Sequence, residues 1–186
     1  MQQHSLEGGF TDIPKQSAHA FRTLMRAMAR PGEIGQLAGA APPAPLSVAA
    51  GIALLTLCDP ETPLFLAPSL ACPALRDWIT FHTGAPFVPP AEAVFAVGLW
   101  AELRAQPFSR GVSEYPDRSA TLIVEMPSLS ESGAVLRGPG IKNIAHLNLP
   151  ETAVFQANAQ AFPLGLDFYF TCEDKIAGLA RTTRVS

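Results

Sequence analysis

The sequence predicts an α/β fold in which a mixed parallel and antiparallel sheet is flanked by helices. Helical-period and strand-like apolar stretches alternate along most of the chain. Two close pairs of strand-like segments interrupt that alternation and read as hairpins. Hydrophobic residues fill 48% of the 186 positions and charged ones only 16%. Such a chain has ample material for a core and little for a solvated outside. Some apolar surface is expected to remain, and a subunit interface is one way to cover it.

Residues 1–9 carry no periodicity and are expected to be a flexible tail, with a single domain over 10–186. Thr11 or Asp12 caps a first helix, with Pro14 in its first turn, where a missing N–H costs nothing. Ala18, Phe21, Leu24/Met25 and Met28 recur at helical spacing, opposite Lys15, Arg22 and Arg26. Arg30-Pro31-Gly32 ends that helix. Residues 33–37 suit a short strand. Ser47 caps a second helix running to Cys58, apolar nearly all round and therefore buried. A turn cluster, Asp59 to Pro63, leads to a buried strand over 64–66. A third helix covers 74–83 with Leu75, Trp78, Ile79 and Phe81 inward, and Gly84 ends it.

A strand follows over 93–99 and a short helix over 101–105. Residues 107–118 are polar and rich in turn formers, and read as a loop. Residues 121–126, Thr-Leu-Ile-Val-Glu-Met, form the best strand by β-branching. Residues 134–137 are expected to pair with it as a hairpin. A helix over 151–161 has Val154, Phe155 and Ala159 inward. A last pair of strands, 166–172 and 176–180, turns around Glu173 to Lys175, and Arg181 to Arg184 is left as a tail.

The charge balance excludes some functions. The net charge is −3, and no basic stripe is interleaved with aromatics, so nucleic-acid binding is not expected. No signal-peptide layout and no apolar run of bilayer length appear, so a cytoplasmic protein with no membrane contact is expected. The three cysteines lack C-x-x-C spacing and the four histidines are scattered. No metal site is expected, and the thiols read as free and buried. No P-loop, G-x-G-x-x-G or G-x-S-x-G occurs. Of the three lysines, Lys15 and Lys175 sit in polar surroundings, which leaves only Lys142, itself expected to be exposed, for the desolvated setting that a Schiff-base lysine needs.

What remains is polar clusters beside apolar strands. One is Tyr115-Pro116-Asp117-Arg118-Ser119. Another is Arg137-Gly138-Pro139-Gly140, where an apolar strand stops at a defined backbone shape: Pro139 pushes Gly138 away from the helical region, and both glycines reach conformations closed to other residues. Such a stop points to a close approach to the backbone. The third is Arg181-Thr182-Thr183-Arg184. Arginines, hydroxyls and free backbone N–H groups suit a phosphate or phosphonate. Two readings stand open. The clusters converge on an anion, or Asp117 pairs with an arginine to brace a loop and the last cluster is a surface tail.

The same residues carry a family likeness. In order, the chain has Phe21-Arg22-x-Leu24-Met25-x-Ala27-Met28, Arg30-Pro31-Gly32, Leu54-Leu55-Thr56-Leu57-Cys58-Asp59 and Phe81-His82-Thr83-Gly84-Ala85-Pro86. Then come Pro116-Asp117-Arg118-Ser119-Ala120-Thr121-Leu122, Leu136-x-Gly138-Pro139-Gly140-Ile141, Phe162-Pro163-Leu164-Gly165-Leu166-Asp167 and Arg181-Thr182-Thr183-Arg184. From about Phe10 to Val185, this resembles the PhnH family, the H subunits of the bacterial carbon–phosphorus lyase core complex.

The resemblance implies a fold like that of pyridoxal-phosphate-dependent transferases, without the cofactor (PLP) or its lysine. It implies a homodimer when alone and partnership with the G, I and J subunits. With G and I, the family is implicated in phosphonate breakdown: a phosphonate displaces adenine from ATP, giving ribose 1-phosphonate 5-triphosphate. ATP is then a substrate of the assembly, with no cofactor held by this chain. The resemblance transfers no catalytic residue. Arg118, Arg137, Arg181 and Arg184 are the candidates for substrate contact, with Asp117, Gly138 and Gly140 as site or interface candidates. The alternative is a non-catalytic scaffold that only supports assembly.

Overall fold

The computed structural model describes residues 6–186. The expected α/β architecture is present, with a mixed six-stranded sheet at its centre. Helix α1 (Ile13–Ala29) starts at Asp12, whose side chain accepts a hydrogen bond from the Lys15 N–H. Strand β1 (Ile34–Gln36) follows, then α2 (Val48–Leu57), with the Ser47 hydroxyl accepting from the Ala50 N–H. Strand β2 (Leu64–Leu66), helix α3 (Pro73–Thr83), strand β3 (Phe95–Leu99) and the short helix α4 (Trp100–Leu103) come next. A hairpin of β4 (Arg110–Val112) and β5 (Tyr115–Ser119) leads into β6 (Thr121–Glu125). The rest of the chain is β7 (Ala134–Arg137), β8 (Ala145–Leu147), α5 (Thr152–Gln160), β9 (Asp167–Cys172), β10 (Lys175–Leu179) and β11 (Arg184–Val185).

The main sheet runs β1-β10-β9-β6-β3-β2. Strands β2, β3, β6 and β9 are parallel, whereas β10 and β1 are antiparallel additions at one side. Side chains alternate between the two faces. Val97, Ile123, Tyr169 and Ile176 point to one face, where they pack with Leu24, Ile52, Leu54, Leu75 and Trp78 from α1, α2 and α3. Ala96, Leu122, Val124, Phe168 and Phe170 point to the other and meet Leu103, Leu136, Leu147 and Phe155. On that second face Phe155 makes edge contacts with Phe168 and Phe170, 5.0 and 5.6 Å between ring centres. The Tyr169 hydroxyl reaches across to α1 and donates to the Leu24 carbonyl at 3.1 Å. Burial pushes that phenol up to about 12.

Several expectations are corrected. Strand β7 does not pair with β6, because both edges of β6 are taken by β3 and β9. It sits instead in a separate three-stranded sheet, β11-β7-β8. The supposed loop over 107–118 contains the β4–β5 hairpin, and the supposed tail contributes β11. The buried stripe of α1 is Ala20, Leu24 and Ala27, leaving Phe21 and Met25 46% and 56% exposed. Phe81 of α3 is also exposed.

Of the expected tail, residues 1–5 lie outside the described residues. Residues 6–9 are docked: the Trp78 indole donates to the Glu7 carbonyl at 2.9 Å, and Ala41 N–H donates to the Gly8 carbonyl at 2.8 Å. His82 lies 3.1 Å from the Leu6 carbonyl, and partial burial lowers its pKa. It packs beside Trp78 as a helix-end histidine.

Candidate functional site

Residues 181–185 bring the polar clusters together. Where β10 ends, Arg181 turns inward with its side chain 13% exposed. Its Nε donates to both carboxylate oxygens of Asp167 at 3.2 Å, and Nη1 donates to the Pro116 carbonyl at 2.6 Å. Nη2 bonds Ser119 and Asp167, and the Arg181 backbone N–H also donates to Asp167. One guanidinium thus joins the start of β9, the β5 strand and the C-terminal segment. The bracing role considered for Asp117 belongs to Asp167. Asp117 is exposed and its side chain has no ion pair or hydrogen bond among the described residues.

The second meeting point is β7 with β11. Arg184 stands directly opposite Arg137 in their antiparallel ladder. Leu136 and Val185, their neighbours in sequence, are buried, so both arginines point outward on one face. His146 of β8 is paired with Val135, two residues from Arg137 and so on that same face. Like charges directly across a ladder repel. Neither arginine has an acidic partner among the described residues. The pair is two fork-shaped donors held a strand spacing apart, suited to phosphate, phosphonate or carboxylate oxygens.

The Gly-Pro-Gly stop has a definite cause inside the chain. A Cβ on Gly140, at φ +80°, would lie 1.8 Å from the Ala29 carbonyl oxygen at the end of α1. A Cβ on Gly138, at φ +140°, would lie 3.2 Å from the Thr182 oxygen. The close approach inferred from the sequence is made by α1 and the C-terminal segment. Glycines fix how β7 leaves the sheet, and therefore how Arg137 is presented.

The arginines do not converge on one point. Arg181 is spent inside the fold. Arg118 lies over the Tyr115 ring at 4.0 Å on its own hairpin. A depression of about 520 Å³ beside Arg184 is walled by Gln156, Gln160 and Val185, with none of the other three arginines. Next to Gly140, a cavity of about 350 Å³ mixes Arg30, Lys142 and His146 with Glu33 and Glu131. All three lysines are exposed. Among the described residues no group of three or more His, Cys, Asp or Glu is placed to hold a metal ion, and no helix is long and apolar enough to cross a membrane.

Residues 8–186 match the family model of the bacterial phosphonate metabolism protein PhnH. The chain belongs to the PhnH family. It is also 43% identical, over 196 aligned residues, to the alpha-D-ribose 1-methylphosphonate 5-triphosphate synthase subunit PhnH of Rhizobium meliloti (strain 1021). That match covers 99% of this chain and 97% of the relative.

Within this PhnH fold, some polar positions escaped the reading of the sequence. Asp167 closes the motif Phe162 to Asp167, but nothing local marks its partner 14 residues away. Asn158 was hidden on a helix face read as apolar. It is 4% exposed, and its amide both donates to the Leu166 carbonyl and accepts from the Leu166 N–H, each at 2.8 Å. Glu125 ends the best strand, and that position was the available signal. Its carboxylate accepts from the Ser47 N–H at 2.8 Å and the Thr171 hydroxyl at 3.0 Å, and burial raises its pKa.

Proposed function

We propose that this chain is the H subunit of a ribose 1-methylphosphonate 5-triphosphate synthase and presents Arg137 and Arg184 to an anionic substrate of the assembled enzyme. The relative that carries this reading is the synthase subunit matched across nearly both full lengths. In the reaction, a phosphonate oxygen bonds to ribose C1 of ATP as the C1–N bond to adenine breaks, and adenine leaves. Triphosphate and phosphonate are both rich in anionic oxygen, which two unpaired guanidinium groups accommodate. Gly138 and Gly140 hold the strand end that carries one of them.

The chain works with the G, I and J subunits and forms a homodimer when alone. Exposed apolar residues on α1, Ile13, Phe21 and Met25, favour a protein partner on that helix. The fold is that of a pyridoxal-phosphate-dependent transferase without the cofactor, in keeping with lysines that are all in solvent. Tyr115 and Arg118, at an exposed hairpin, are interface candidates.

The scaffold reading is favoured by Arg181: the most engaged arginine serves the fold. Reconstitution with G, I and J, followed by adenine release from ATP and methylphosphonate, separates the two. Arg137→Ala and Arg184→Ala complexes that assemble but turn over slowly support substrate contact. Full turnover in both overturns it and leaves the scaffold.

A further inference from the structure

A cavity of about 440 Å³ opens where β3, β6 and β9 end, with Leu99, Glu125 and Cys172 at its wall. These strands are parallel neighbours, so their carboxyl ends lie side by side. The volume suits a small molecule. Leu70, Leu99 and Met126 supply apolar walls.

The polar part of this cavity is acidic. Glu125 and Glu173 both line it, and among the described residues no Lys, Arg or His does. Glu102 stands just behind, receiving the Ser69 N–H at 3.0 Å. Glu125 is held on both oxygens, by the Ser47 N–H and by the Thr171 hydroxyl. Both donors are neutral, and Glu125 has no ion pair among the described residues. Each carboxylate oxygen keeps a further lone pair for a ligand. Burial raises the pKa of this carboxyl, because desolvation disfavours its charged form.

We infer that this cavity is a binding site for a small organic cation, an amidinium or ammonium group on an apolar body. The cationic group lies against Glu125, with Glu173 at the rim, and the apolar body fills the space between Leu70, Leu99 and Met126. Phosphates and other anions are rejected by the same carboxylates. The site is separate from the Arg137–Arg184 face and does not depend on its role.

The test is calorimetric titration of the purified full-length chain with benzamidine, and with benzoate as the shape-matched anion. Benzamidine is expected to bind saturably and benzoate not to bind. Glu125→Gln keeps the shape of the carboxyl and is expected to weaken benzamidine by about tenfold or more. Glu125 also holds α2, so a second variant guards against loss of folding. Leu99→Trp, at a side chain 46% exposed, should fill the cavity and abolish binding while the protein stays folded. Absent saturable binding to the wild type, equal binding of benzoate, or undiminished binding to folded Leu99→Trp overturns the site.

Discussion

Gly140 and Ala29 are in backbone contact so close that a Cβ on Gly140 would sit 1.8 Å from the Ala29 oxygen. The contact locks the end of β7 against the end of α1. Gly140→Ala must therefore move one of two backbones and also hold alanine at φ +80°. The expected loss is about 2–4 kcal/mol of stability. Gly138→Ala faces only a 3.2 Å approach to the Thr182 oxygen and should cost less, although its φ is also strained. Urea unfolding of the two variants checks the order. Equal stabilities would mean that the α1 contact does not set the strand end.

Arg181 gives a second prediction. Its guanidinium and the Asp167 carboxylate are mostly buried, with side-chain exposures of 13% and 21%. Removing one member of such a pair leaves the other charge without compensation, at about 3–5 kcal/mol. Arg181→Ala should unfold at markedly lower denaturant. Arg181→Lys should recover little, since a single ammonium cannot serve Asp167, Pro116 and Ser119 together. A wild-type midpoint in Arg181→Lys would show that charge alone, and not the fork of donors, holds the three segments.

How far the sequence revealed this arrangement follows from what each feature depends on. The long helices and the strands buried on both faces, such as Leu122-Ile123-Val124, were legible because their patterns are local. The phase of α1 was not: Phe21 and Met25 have the right spacing, but small Ala20 and Ala27 beside Leu24 make the buried stripe. The partner of β7 was misread because nearness in sequence favoured β6, whose edges are occupied by β3 from earlier in the chain and β9 from later. The Gly-Pro-Gly stop was correctly read as a close approach, while the approaching backbone, Ala29, lies more than a hundred residues earlier. The candidate arginines stand out in the sequence, but their division into an inward Arg181 and an outward Arg137–Arg184 pair depends on β-ladder register.

Glu125 links stability to pH. Its ordinary value is 4.5, and burial raises it in the folded protein. A raised carboxyl binds its proton more tightly when folded than when unfolded. The stability it contributes is fully present below the unfolded value and is lost as pH rises through the folded one. Glu125→Gln removes that dependence. Measured by urea unfolding from about pH 4 to pH 7, the variant should gain stability relative to wild type as pH rises. A difference that stays flat, or that moves the other way, would mean that the hydrogen bonds from Ser47 and Thr171 outweigh burial.

The facing arginines separate folding from function most sharply. Arg137 and Arg184 oppose each other with no acidic partner among the described residues, so the fold gains nothing electrostatic from having both. Arg137→Glu replaces repulsion with a cross-strand ion pair and should raise stability by about 0.2–1 kcal/mol. The same change puts a negative charge where an anionic substrate would bind. In the reconstituted synthase, adenine release should fall well below that of Arg137→Ala, and the double variant Arg137→Glu/Arg184→Glu should be lower still. Unfolding midpoints, assembly by gel filtration and adenine release are measured on the same preparations. A more stable, fully assembled and slow complex is the signature of a positive pair kept for its ligand; a more stable complex with undiminished turnover would leave the pair without a substrate role.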